Sequence, residues 1–322
     1  DFGDLPVFTT ATTYPCVIRV RNNTSEGIFE AVSVENLSFT NLADYVLQHT
    51  FQIKTDNLDD SGWTLADPKE QELLKKIQTA GTTLGKYVES KIYRGIITGL
   101  NKAFVIDKAT HDKIIREDPK SAEVIKPFLV GKDVKRYQKP DNKGKYLILI
   151  PNGWTRQTSG NIKNPWRWLQ EEYPAIVKHL MPFTQEAEAR WDKGEFWWEL
   201  RACDYYNEFE TPKIIFPNIC KRPEFTFDDL NYYTNQKCYI ISVPDKYLLG
   251  ILNSSIVHFL FKLLLPKLRG DFFEPNLVVF QEFPIRTIDF SDTADKHRHD
   301  NMVALVERML TLHKQLADVK TD

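Results

Sequence analysis

Short β-branched runs and helix-start signals are interleaved along this chain in no repeating order, and that mixture constrains its fold most. Residues 16–21 and 28–34 read as strands parted by the turn-forming stretch 22–27, and residues 51–54 read as a third strand. Residues 41–49 read as a short helix. Asp67, Pro68 and Glu70 then open a helix with an N-cap, a proline at the first helical position and a capping box, and it runs to Gly81. Further strands are expected at 91–97, 103–107, 145–150, 213–219 and 237–243. Helices are expected at 110–117, 121–128 and 247–264, and a helical region at 164–190 should break at Pro174 and Pro182. The fold class that follows is α+β. Residues 1–62 form a strand-rich first part, 63–290 a mixed part and 291–322 a C-terminal helix, with a polar linker at 55–62 and a boundary near Trp63.

At 322 residues the chain is long for one core. It is 42% hydrophobic and 27% charged, which suits a globular protein and excludes a disordered or fibrous one. Its longest apolar run, 256–265, is interrupted by His258 and Lys262 and is too short to span a bilayer, so no membrane partner is expected. Cys16, Cys203, Cys220 and Cys238 are far apart with no CxxC pair, which argues against zinc and for free thiols in a reducing cytoplasm. The chain starts at Asp1 without a methionine, as expected for a piece of a longer protein.

The net charge of -2 hides an uneven distribution: -6 over residues 1–85, +7 over 86–145 and -3 over the remainder. A local positive block can give one face an anion-attracting potential. Within that block, Arg94, Gly95, Thr98, Gly99, Asn101 and Lys102 read as a hairpin tip, since Gly and Asn tolerate turn conformations. Two cations, a hydroxyl and an amide on one tip can contact phosphates and base edges together. Lys132, Lys135 and Arg136, followed by Tyr137, form a basic cluster suited to phosphate. Arg201 beside Trp197 and Trp198, and Arg269 in an Arg-Gly-Asp turn, are further candidates; Trp197 and Trp198 themselves read as core, and Arg269 could instead pair with Asp271.

Catalytic motifs are missing: no GxGxxG, Walker loop, GxSxG or HExxH occurs. Asp-x-Lys triplets at Asp118/Lys120, Asp133/Lys135 and Asp141/Lys143 arise freely in lysine-rich sequence and have no paired carboxylate cluster beside them. Met302, Leu305, Met309, Leu312 and Leu316 are spaced as a helical apolar seam. That seam packs on its own domain or docks on another subunit.

Six segments in order resemble the TaqI-like C-terminal specificity domain of adenine-specific DNA methyltransferases and type IIG restriction–modification enzymes. They are RGIITGLNKAFVID (94–107), IKPFLVGKDVKRY (125–137), WWELRACDYYNEFETPKIIFPNI (197–219), YLLGILNSS (247–255), LRGDFF (268–273) and FPIR (283–286). Residues 1–22 resemble the end of the methyltransferase domain that precedes this module. The resemblance implies that 1–62 is the C-terminal, strand-rich remnant of an α/β methyltransferase domain and that 63–290 is a DNA target-recognition domain. It also implies that the S-adenosylmethionine site and the NPPY-type adenine-holding motif lie upstream of Asp1 in the parent. The fragment alone would then bind no cofactor or metal and catalyse nothing. Its partners would be double-stranded DNA and the upstream methyltransferase domain, with a nuclease domain where the parent carries one. The alternative is a protein-interaction module of a multi-subunit DNA-modification or phage-defence complex, with subunit contact through the C-terminal helix.

Overall fold

Local signals and tertiary pairing meet first at Asp67. Its carboxylate accepts from the Lys69 and Glu70 backbone N–H groups at 2.7 and 3.0 Å, while Glu70 accepts from the Asp67 N–H at 3.3 Å. The helix Pro68–Thr79 therefore starts with the reciprocal cap that its residues specify. The computed structural model describes residues 1–3, 5–8, 15–22, 27–57, 65–160 and 162–319. Most of the turn expected at 22–27, part of the 55–62 linker and the boundary near Trp63 lie outside the described residues.

The chain forms two compact units that interleave along the sequence. One comprises Asp1–Ser90, Ile219–Pro223 and Ile251–Lys296; the other comprises Lys91–Asn218, Glu224–Gly250 and His297–Asp322. In the first unit, Ile28–Ala31 pairs antiparallel with Phe51–Lys54, and the Asn41-capped helix Leu42–His49 lies between them in sequence. The expected strand at 16–21 is irregular chain. Thr82–Thr83 pairs with Pro284–Ile285, and Gly81 lets the backbones close: a Cβ there would sit 2.3 Å from the Ile285 carbonyl oxygen. In the same unit Phe261 packs on Phe273, Phe280 and Phe283, and Phe280 on Phe283, with ring centroids 5.2–6.4 Å apart.

The second unit holds two four-stranded sheets. One runs Tyr233–Thr234, Ile125–Leu129, Lys145–Ile148, Val105–Asp107; its first pair is parallel and the others antiparallel. The other, wholly antiparallel, runs Ile92–Arg94, Cys238–Ile241, Lys213–Pro217, Thr226–Asp228. A single core joins them, including Phe104, Phe128, Leu147, Ile176, Leu200, Ile215 and Ile240. The segment expected as a helix at 121–128 is instead the 3-10 turn Pro119–Val124 followed by the strand Ile125–Leu129. Ile125, Lys126 and Pro127 pair with Ile148, Leu147 and Tyr146, and Phe128 and Leu129 pair with Tyr233 and Thr234, so pairing on both sides decides the conformation there. The region 164–190 breaks as Pro174 and Pro182 require, into Pro165–Glu172, Pro174–Leu180, a 3-10 turn and Thr184–Ala189. The apolar stretch 247–264 is two helices, Lys246–Leu252 and Ser255–Leu264, because Ser254 caps the second. The last helix is Thr293–Val319, within the expected 291–322. Among the described residues no single helix is long and apolar enough to cross a membrane.

Candidate nucleic-acid interface

The segment 94–107 is not a hairpin. Its two strands belong to different sheets, Ile92–Arg94 beside Cys238–Ile241 and Val105–Asp107 beside Lys145–Ile148. Between them the chain turns through Gly99, φ +67°, into the short helix Asn101–Phe104, whose Ala103 and Phe104 are fully buried. An apolar pair facing the core draws this stretch inward where a hairpin tip would have projected it. Thr98 goes with it. It is 2% exposed and its hydroxyl donates to the Asn101 side-chain oxygen at 2.7 Å, so it serves the turn and offers nothing to a ligand, which corrects the expectation. Asn101 and Lys102 remain exposed, Lys102 paired with Glu186 at 2.5 Å.

A buried cation braces this turn. Arg190 is 8% exposed, lies 4.3 Å over the Phe104 ring, and donates to the carbonyls of Thr98, Trp197 (2.8 Å) and Glu199. Burial lowers its pKa to about 10, so it stays charged at neutral pH. Two residues on, Asp192 accepts from Arg201 at 3.3 Å, and a Cβ on Gly99 would lie 3.0 Å from the Asp192 Cβ. Arg201 is thereby placed beside the turn. Trp198 is core, donating its indole N–H to Thr155 at 3.0 Å.

A second group forms around residues 235–237. Gly95 donates its N–H to Cys238 O at 2.9 Å, and a Cβ on Gly95 would fall 1.9 Å from Asn235 O, so only glycine permits this approach. Arg94, exposed, donates from Nε to Gln236 O at 3.3 Å. Gly131 lies against Lys237, its Cβ position 3.3 Å from the Lys237 Cβ, which sets Lys132 next to Lys237. Lys132 and Lys237 are exposed and have no ion pair among the described residues. Burial, joined by Cys203, raises Tyr205 to a pKa of about 12, while Arg201 and Arg94 act against the rise; both guanidiniums therefore bear on this one tyrosine. Tyr205 in turn stacks on Tyr93 at 4.8 Å.

The rest of the basic cluster is largely spoken for. Lys135 pairs with Glu224 at 3.2 Å. Arg136 lies 5.3 Å over the Tyr137 ring, with Nε buried and without a hydrogen-bond partner. Lys143 and Lys145 bind the buried Asp133 at 3.2 and 3.0 Å. Burial would raise Asp133, but the two lysines outweigh it and hold the carboxyl below its usual range. Of the Asp-x-Lys triplets, Asp118 caps the turn at Lys120, Asp133 is this buried anchor, and Asp141 accepts from the Lys143 N–H. Each carboxylate has an architectural partner. Arg269 belongs to the other unit, at the turn between Lys267–Leu268 and Phe272–Phe273; it is exposed and makes no ion pair, with Asp271 or otherwise, among the described residues. No group of His, Cys, Asp and Glu among the described residues has metal-site geometry.

Sequence reading missed Lys237, which looks like an ordinary strand start and meets Gly131 only through chain pairing. It also missed Trp191, 98% exposed on the Arg190–Asp192 segment.

Two four-stranded sheets with short helices define a mixed α+β module. Residues 126–285 match the family model of the TaqI-like C-terminal specificity domain. Among solved structures, it is similar to the type IIL restriction–modification enzyme MmeI, solved in complex with DNA, at 14% identity and a TM-score of 0.46, over 67% of this chain and 27% of that one. It is also similar to the type IIG restriction endonuclease BpuSI at 11% identity and a TM-score of 0.46, over 80% of this chain and 30% of that one. The chain spans less than a third of either. No curated protein sequence matches it.

Proposed function

We propose that this chain is the sequence-reading part of an adenine-specific DNA methyltransferase or type IIG restriction–modification enzyme. It binds duplex DNA and presents the target adenine to a catalytic domain elsewhere in the parent. Residues 1–62 are the end of that catalytic domain, which holds S-adenosylmethionine, and 63–290 are the recognition domain. The observation that supports this most is the specificity-domain match at 126–285, falling largely on the unit where Arg94, Lys132 and Lys237 surround one loop. Arg94 and Asn101 suit base edges, through a guanidinium fork and an amide; Lys132, Lys135, Arg136 and Lys237 suit phosphates. Lys102 and Arg201 sit in exposed ion pairs worth about 0–1 kcal/mol, so a phosphate can draw them away from Glu186 and Asp192 at little cost. Arg269 adds a cation on the other unit.

The test is a titration of the chain with duplex at two salt concentrations, with Arg94→Ala and Lys132→Ala beside it. Lys132→Ala should weaken all duplexes alike and reduce the salt slope by about 1. Arg94→Ala should cost about 1–3 kcal/mol on the cognate site and far less on scrambled DNA. Affinities equal to wild type for both variants would sink the reading.

A second reading is favoured by the last helix. Met302 and Val306 face Gly250, but Leu305, Met309, Leu312 and Leu316 stay exposed, as does Val319, so the expected seam is split. On this reading the exposed stripe docks a protein partner in a multi-subunit complex. Unchanged mass in light scattering on removing residues 291–322 argues against self-assembly through it.

A further inference from the structure

A tryptophan usually spends its large apolar face on a core or an interface. Trp198 is buried, and Trp154 and Trp166 pack on other aromatic rings. Trp191 does neither: it is 98% exposed, the most of any large apolar residue described. Its backbone is nevertheless pinned on both sides. Arg190, just before it, is buried under three carbonyl contacts, including the 2.8 Å bond to Trp197. Asp192, just after it, holds Arg201 at 3.3 Å and lies against Gly99. Lys193 donates its N–H to the Trp191 carbonyl at 3.1 Å and bridges to Leu200. The indole is thus held out in water on a fixed support, on the segment that braces the turn carrying Asn101 and Lys102.

The geometry points to Trp191 as a nucleobase-stacking residue, its indole laid on a base face that unstacking or flipping opens in the bound duplex. A flat apolar face matches the face of a base, and a tryptophan on a pinned backbone loses little freedom on contact. This inference rests on the DNA-binding reading above.

The test uses the 322-residue chain, with Trp191→Ala and Trp191→Phe variants, titrated with a mixed-sequence duplex pool at low and moderate salt. Trp191→Ala should weaken binding about 5- to 150-fold, and Trp191→Phe should retain most of the affinity. The salt slope of both should equal that of wild type, because no charge is lost. Melting temperatures should not change, since the indole supports no core. If Trp191→Ala binds as tightly as a wild type that does bind, the inference fails and the DNA-binding reading stands. If the wild type binds no duplex at low salt, both fail. If Trp191→Ala binds DNA normally but alters the mass in light scattering, Trp191 is a protein contact and the inference is overturned.

Discussion

Lys213 and Asp228 face each other across neighbouring strands with both side chains wholly buried, 2.6 Å apart. Burial pushes the Lys213 ammonium down, and Asp228 works against that shift. Lys213 also donates to Phe209 O at 2.7 Å, and Asp228 accepts from the Leu230 and Tyr232 N–H groups, so the pair's remaining hydrogen-bonding capacity is used. Removing one partner leaves a buried charge alone. Lys213→Met should therefore lower unfolding stability by about 3–5 kcal/mol in urea, and a second change, Asp228→Leu, should recover part of it. Arg190 illustrates the same use of charge. An arginine in a chain proposed to bind DNA invites a phosphate-contact reading, yet this one is enclosed by carbonyls and Phe104. Exposure decides between the two uses, and a list of arginines does not contain it.

At the scale of elements, Gly95 and His179 make the clearest predictions. Gly95→Ala should cost at least about 2 kcal/mol, because its Cβ would overlap Asn235 O, and it should weaken DNA binding by displacing the 235–237 loop from Arg94. Urea unfolding and a duplex titration would check each half. His179, on the helix Pro174–Leu180, has Nε2 2.9 Å from Ala103 O. Burial lowers its pKa, outweighing the Ala103 contact and the pull of Asp107, which both raise it. The folded state thus binds the proton less readily than the unfolded one. Stability is full above the ordinary imidazole range and falls as pH drops through it. Melting temperature should fall between about pH 7 and pH 5 less steeply in His179→Gln than in wild type. Elements with chemical punctuation were legible: the Asp67 cap, the breaks at Pro174 and Pro182, and the strand Phe51–Lys54. Residues 121–128 and the supposed hairpin were not, because their conformation follows from strand pairing and from burial of Phe104.

For the whole molecule, the net charge of -2 makes DNA binding a local matter, so affinity should fall steeply with salt despite the acidic balance. A flat salt response would show that the exposed cations do not meet phosphate. The exposed stripe on the last helix makes a separate prediction. Leu312→Glu should leave the melting temperature close to that of wild type, since this side chain is exposed. If the stripe mediates self-association, the same change should lower the mass measured by light scattering.

By itself the sequence determined the resemblance to a specificity domain, the α+β class, the capped helix start at Asp67 and the positive block, because these depend on residue identity and short-range spacing. Tertiary structure alone decided which charges are available. It set Arg94, Lys132 and Lys237 on one loop cluster, turned Thr98 inward, and left Trp191 in solvent. The reason is that a side chain's solvation and partners come from segments far away in the chain, here Glu186, Asp192, Glu224 and residues 235–237, and no local spacing encodes them.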